Sequence, residues 1–113
     1  MKDPRIYIIH IRECINRIES YTAEGMDSFY IDLKTQDAVI RNLETLGDAT
    51  QQLPEAWKDD HPEIDWRRVT EFRNVLAHQY LEINLDIVWN VIEYRLPELK
   101  QAIEKIAEDF WNS

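Results

Sequence analysis

The stretch Asn84–Phe110, NLDIVWNVIEYRLPELKQAIEKIAEDF, decides the fold. Leu85, Val88, Ile92, Leu96, Leu99, Ile103, Ile106 and Phe110 recur at steps of three or four residues. That rhythm marks one face of an α-helix, whereas a half-buried strand alternates at every second position. Asn84 is a suitable N-cap, because its side-chain oxygen can accept from the free N–H groups of the first turn. Pro97 falls inside the rhythm. It lacks an N–H and its ring crowds the preceding turn, so a kink is expected there. The stripe stays in phase beyond it, which predicts one bent helix, not two.

Three further helices emerge on working outward. The third segment runs from about Asp65, an N-cap, to Ala77, with Trp66, Val69, Phe72 and Leu76 on one face. The second runs from about Thr35 to Leu53, striped by Val39, Leu43, Leu46, Thr50 and Leu53. Gly47 lies in its interior, where glycine costs about 1 kcal/mol relative to alanine. A close helix–helix approach would account for it. Pro54 ends this helix or opens a short turn to Lys58, and His61-Pro62 reads as loop. The first segment runs from about Pro4 to Ala23 and carries Ile8, Ile11, Ile15 and Ile18, with Asp3 as cap and Gly25 as stop. Amphipathic helices without a strand pattern imply an all-α, up-and-down bundle of four to five helices, one domain over residues 1–113.

Composition narrows the function. The chain carries 22 acidic against 13 basic residues, a net charge of −9. That argues against broad adhesion to nucleic acid through a basic surface, and leaves room for one local phosphate site. Cys14 is the single cysteine, so neither an internal disulfide nor a cysteine-based zinc site is expected. His10, His61 and His78 lack metal-ligand spacing, and no metal or cofactor is expected. The charged start and the lack of a long apolar run suggest a cytoplasmic protein with no membrane span.

The chemistry concentrates in Glu71-Phe72-Arg73-Asn74-Val75-Leu76-Ala77-His78-Gln79-Tyr80. At about 100° per residue, Arg73 falls about 40° from Val69, on the rim of the apolar face. A guanidinium there needs an anion or a partner chain. An unbroken helix would set His78 about 140° away from Arg73. Either the helix ends early and the chain turns His78 back, or the two residues converge across a two-fold dimer. An arginine and a histidine suffice to cleave RNA without a metal: the imidazole moves a proton near neutral pH and the guanidinium holds the phosphate. Each residue also has a plainer reading. Arg73 can pair with Glu71 or with a carboxylate on another helix. His78 suits a helix C-terminus through the dipole. Tyr80 can be a rim aromatic with a bonded hydroxyl. Asn74 either orients Arg73 or faces solvent. Arg67 and Arg68 fit a solvated face better than phosphate contacts, and the tryptophans fit the core or a dimer interface.

Taken together, Arg73-Asn74-x-x-x-His78 resembles the arginine, polar residue and histidine signature of HEPN domains. The longer string Arg73-x-x-x-x-His78-x-Tyr80 resembles the motif of HepT toxins within that superfamily. Asp37 to Ala49, including Gly47, is similar to the family's second-helix signature, and Asp3-Pro4-Arg5 and Trp66-Arg67 extend the likeness over nearly the whole chain. The resemblance implies a homodimeric ribonuclease toxin with catalytic Arg73 and His78 in a cleft at the dimer axis, supported by Asn74. It further implies an antitoxin partner, a minimal nucleotidyltransferase that transfers AMP to Tyr80. An alternative is a non-catalytic helical adaptor that binds substrate or positions a nucleotidyltransferase. The net charge suits the adaptor, and the intact Arg73/His78 pair suits the nuclease.

Overall fold

The computed structural model describes residues 3–79 and 81–111, and every regular element among them is helical. They are α1 (Arg5–Tyr21), α2 (Met26–Ile31), α3 (Leu33–Gln51), α4 (Glu55–Asp59), α5 (Trp66–His78), α6 (Leu85–Asn90), a π-helical turn (Val91–Arg95) and α7 (Leu96–Trp111). The result is the all-α bundle that the apolar stripes predict. α1 packs against α3 and α7, and α3 packs against α5. Ile8, Ile11, Ile15 and Ile18 of α1 meet Val39, Leu43 and Leu46 of α3 and Leu99, Ile103 and Ile106 of α7 in one buried core.

Polar side chains set the helix ends. Asp32 accepts from the Lys34 and Thr35 amides and starts α3 two residues before the expected Thr35. The Thr35 hydroxyl and these amides hold the Asp32 carboxyl below its ordinary value, because they favour its charged form. Asp65 caps α5 through the Arg68 amide, and Asn84 caps α6 through the Asp86 and Ile87 amides. Gly25 takes φ +95°, a left-handed conformation that glycine enters without a Cβ penalty, and turns the chain from α1 into α2.

α2 has no counterpart in the sequence reading. Only Phe29 of its six residues is buried, so no apolar period can show. Its role is to cover Trp89: the Phe29 and Trp89 rings lie 5.4 Å apart, and the Tyr30 hydroxyl donates to the Asp86 carboxylate. That bond raises the Tyr30 pKa above its usual value, since it stabilises the protonated phenol. Trp89 and Val91 are both partly buried against this chain's own core.

Pro97 is absorbed without a break. From Leu85 to Trp111 the chain stays helical, and a π turn precedes the proline. The Leu96 amide reaches back five residues to the Val91 carbonyl. The wider turn makes room where the proline ring would crowd the preceding coil. The last helix is also tied to the first: Arg12 binds Glu104 through two hydrogen bonds of 2.9 and 3.2 Å, and Lys100 binds Glu19 at 3.0 Å.

The tightest seam lies between α3 and α5. A Cβ added to Gly47 would sit 2.6 Å from Arg73 Cβ and 2.8 Å from its Cγ. Those atoms sit at the anchored end of the side chain and cannot swing aside. Overpacking of this kind costs about 1–3 kcal/mol, more than the ~1 kcal/mol that alanine returns in helix propensity. Gly47→Ala is therefore expected to lower the urea midpoint of unfolding. A variant as stable as the parent would contradict the seam.

Candidate functional site

Arg73 emerges from this seam. Its backbone belongs to the middle of α5, and the first carbons of its side chain lie over the bare Cα of Gly47. Its Nε is buried and lies 2.6 Å from Asp48 Oδ1 on α3. The N–H does not point along that line, so the contact is a charge pair, not an aligned hydrogen bond. Nη1 donates to Asn74 Oδ1 at 3.2 Å. Asn74 is itself exposed, so it faces solvent as well as meeting the guanidinium. A guanidinium has five N–H donors, and the remaining Nη donors are left to meet an anion.

The carboxylate beside Arg73 is thus on another helix. Glu71 instead pairs with Arg67 at 3.2 Å, and Arg68 pairs with Asp65 at 3.5 Å. Both arginines are more than three-quarters exposed, which fits a solvated face. Asp48 belongs to the second-helix string of the sequence, but nothing in its spacing ties it to Arg73. Gly47 is the signal that could have found it. A helical glycine marks where a second helix comes close, and the next residue borders that contact.

His78 is the last residue of α5 and is exposed, with Gln79 as the C-cap. The helix therefore runs one residue beyond the expected Ala77, unbroken from Arg73 to His78. Five steps of about 100° set the two residues about 140° apart around one axis. Within one chain the helical path of α5 does not by itself bring them together. Tyr80, the expected AMP acceptor, lies outside the described residues.

The other sequence candidates stand apart from Arg73. Cys14 is a buried core residue, and burial raises its thiol pKa, which keeps it protonated. His61 pairs with Glu63 at 3.1 Å. The Trp66 indole donates to the carbonyls of Lys58 and His61, so it fastens the loop before α5. Trp57 stacks at a tilt on Phe110, and Trp111 carries the Arg12 guanidinium 5.8 Å from its ring centre. Three of the tryptophans, Trp57, Trp66 and Trp89, pack on the core.

The bundle, with Arg73 in a helix seam and His78 five residues on, fits the HEPN-type resemblance of the sequence. The chain belongs to the HepT-like ribonuclease family, whose model matches residues 11–106. It is 39% identical to the "Probable ribonuclease HepT" of Thermococcus cleftensis, over 88% of this chain and 92% of that one. It is 29% identical to the mRNA nuclease HepT of Shewanella oneidensis, over 88% of this chain and 92% of its relative. A Methanocaldococcus jannaschii protein named for a gamma-glutamylcyclotransferase and an RNase is 38% identical over 96% of this chain, which spans only 49% of that longer protein. Among solved structures, the tri-AMPylated Shewanella oneidensis HEPN toxin in complex with MNT antitoxin superposes with a TM-score of 0.71. It is 29% identical, over 95% of this chain and 98% of that one. Among the described residues no helix is long and apolar enough to cross a membrane.

The Asp48–Arg73 pair is part-exposed, with side-chain exposures of 56% and 26%. Solvent screens such a pair, and breaking it should cost no more than about 1 kcal/mol. Asp48→Asn is expected to keep the helical circular dichroism spectrum and to shift the urea midpoint only slightly. Unfolding of this variant would make Asp48 a structural keystone instead of a support for the guanidinium.

Proposed function

We propose that this chain is the toxin of a toxin–antitoxin pair, a cytoplasmic, metal-independent endoribonuclease that acts as a homodimer. The observation that carries this reading is Arg73: Asp48 and Asn74 flank its guanidinium, and among the described residues nothing else engages its Nη donors. Arginine held in this way binds a phosphate without reorganising, which is where electrostatic catalysis gains most. Membership of a ribonuclease family supports the same assignment.

α5 sets Arg73 and His78 on different faces, which favours a site assembled by two chains about a two-fold axis. Each half then receives an arginine and an exposed histidine. One His78 takes the proton of a ribose 2′-hydroxyl. The 2′-oxygen attacks the adjacent phosphorus, the P–O5′ bond breaks, and the second His78 gives its proton to the departing 5′-oxygen. Arg73 neutralises charge on the phosphoryl oxygens throughout. The products are a 2′,3′-cyclic phosphate and a 5′-hydroxyl.

Control falls to Tyr80 and to a nucleotidyltransferase antitoxin. The phenolic oxygen attacks the α-phosphorus of ATP, pyrophosphate leaves, and the phenol proton passes to solvent. The adduct adds bulk and negative charge two residues from His78, where it competes with RNA phosphate. The AMP groups of the Shewanella oneidensis toxin and its MNT partner support this step.

Unmodified protein is expected to cleave single-stranded RNA in the presence of EDTA and to leave cyclic phosphate ends. His78→Ala and Arg73→Ala should each lower the rate by about 100-fold or more with the fold intact. Undiminished cleavage by His78→Ala, or activity abolished by EDTA, would refute the mechanism. Binding of RNA without any cleavage would return the adaptor reading.

With the cognate nucleotidyltransferase, ATP and magnesium, intact mass should rise by whole AMP units, peptide mapping should locate them on Tyr80, and cleavage should stop. Tyr80→Phe should take no adduct and keep cutting RNA. Adducts on Tyr7, Tyr21, Tyr30 or Tyr94 would contradict the assignment.

A further inference from the structure

A groove runs between α1 and α3 on the flank of the Arg73 site. It is shallow and open to solvent, lined by Tyr7 and His10 of α1 and by Thr45, Asp48, Ala49 and Gln52 of α3. Ala49 is buried beneath it, and Tyr7 is half-buried, packed on the core and lining the groove. Among the described residues, no side chain bonds to the Tyr7 hydroxyl, the His10 ring or the Gln52 amide. Each of these groups can both donate and accept, as the edge of a nucleobase does. The groove is joined to the site by one residue: the Asp48 carboxylate that lines it also lies 2.6 Å from Arg73 Nε. A phosphate held by the Arg73 Nη donors therefore has this recess beside it.

Charge makes such a recess necessary for an RNA-cutting protein. At a net charge of −9 the chain cannot hold a polyanion through many phosphates. The arginines nearest along α5 do not help, since Arg67 and Arg68 are engaged by Glu71 and Asp65. Contacts to the nucleosides beside the phosphate at Arg73 then add to the affinity. Single-stranded RNA offers them through unstacked bases, which lie on aromatic side chains and bond along their edges.

We infer that the Tyr7–His10–Gln52 groove is a nucleoside subsite, which holds the base beside the phosphate bound by Arg73. This rests on the ribonuclease reading above and names how its substrate is gripped. Tyr7 stacks on the base, and His10 and Gln52 bond to its edge. Recognition of this kind selects single-stranded over duplex RNA, because a paired base cannot enter the groove. It also predicts an affinity nearly indifferent to salt. Each neutralised phosphate on a single strand contributes about −0.7 to the slope of log K against log salt, so a one-phosphate grip gives a slope near that value.

The test is fluorescence anisotropy of a labelled short single-stranded RNA with full-length His78→Ala protein, which binds without cutting. The expected slope against salt is shallower than about −2. Adding Tyr7→Leu, which keeps bulk and loses the ring, should raise Kd about tenfold, and Tyr7→Phe should restore it. The exposed changes His10→Ala and Gln52→Ala should each weaken binding severalfold and carry the test if Tyr7→Leu fails to fold. An oligonucleotide with abasic positions should bind the parent as weakly as RNA binds Tyr7→Leu. Unchanged Kd in all groove variants, equal affinity for the abasic strand, or a steep salt slope would each overturn the subsite. If the otherwise native protein still cleaves RNA in that case, the nuclease assignment stands and only the groove is lost.

Discussion

Gly47 and Arg73 meet where α3 and α5 come closest, and the rest of the site depends on that contact. A hydrogen in place of a methyl group lets the α5 backbone settle against α3. The approach sets the root of the Arg73 side chain, and Asp48, one residue on, then meets the guanidinium. A glycine in a helix interior is a local defect worth about 1 kcal/mol. Here the defect is compensated by a seam that fixes a cation on the rim of the core.

That cation sits in an acidic protein, and the contrast defines how the molecule can treat RNA. Most surface arginines are already matched: Arg5 by Asp3, Arg12 by Glu104, Arg67 by Glu71, Arg68 by Asp65, Arg95 by Glu98. Arg73 lies beside Asp48 at Nε and donates from Nη1 to Asn74. A protein built this way does not attract nucleic acid from a distance.

Two parts of the fold show how irregular helix is used to keep the core continuous. The π turn at Val91–Arg95 accommodates Pro97 and keeps Ile92, Leu96 and Leu99 buried on one side. Short α2 covers Trp89, whose ring would otherwise be an apolar patch needing another chain. The far end of α5 at His78 is exposed.

The helical class, the long helices and the caps Asp65 and Asn84 were legible in the sequence, because apolar period and capping oxygens are local properties of the chain. Gly25 and the Gly47 close approach were legible in the same way. The Asp32 cap of α3 was not read, and the N-cap of α1 is Pro4 in place of the expected Asp3. The motif Arg73-x-x-x-x-His78 also announced the family, since a spacing is a property of sequence. Only the tertiary structure decided the rest. α2 carries one buried residue and leaves no period to read. The partner of Arg73 was undecidable between Glu71 and a distant carboxylate, because an ion pair between helices depends on how they pack and not on their separation along the chain. The end of α5 at His78 was off by a residue, since backbone bonding there carries no side-chain signal. The groove of Tyr7, His10 and Gln52 joins positions far apart in sequence. It exists only because α1 and α3 lie side by side.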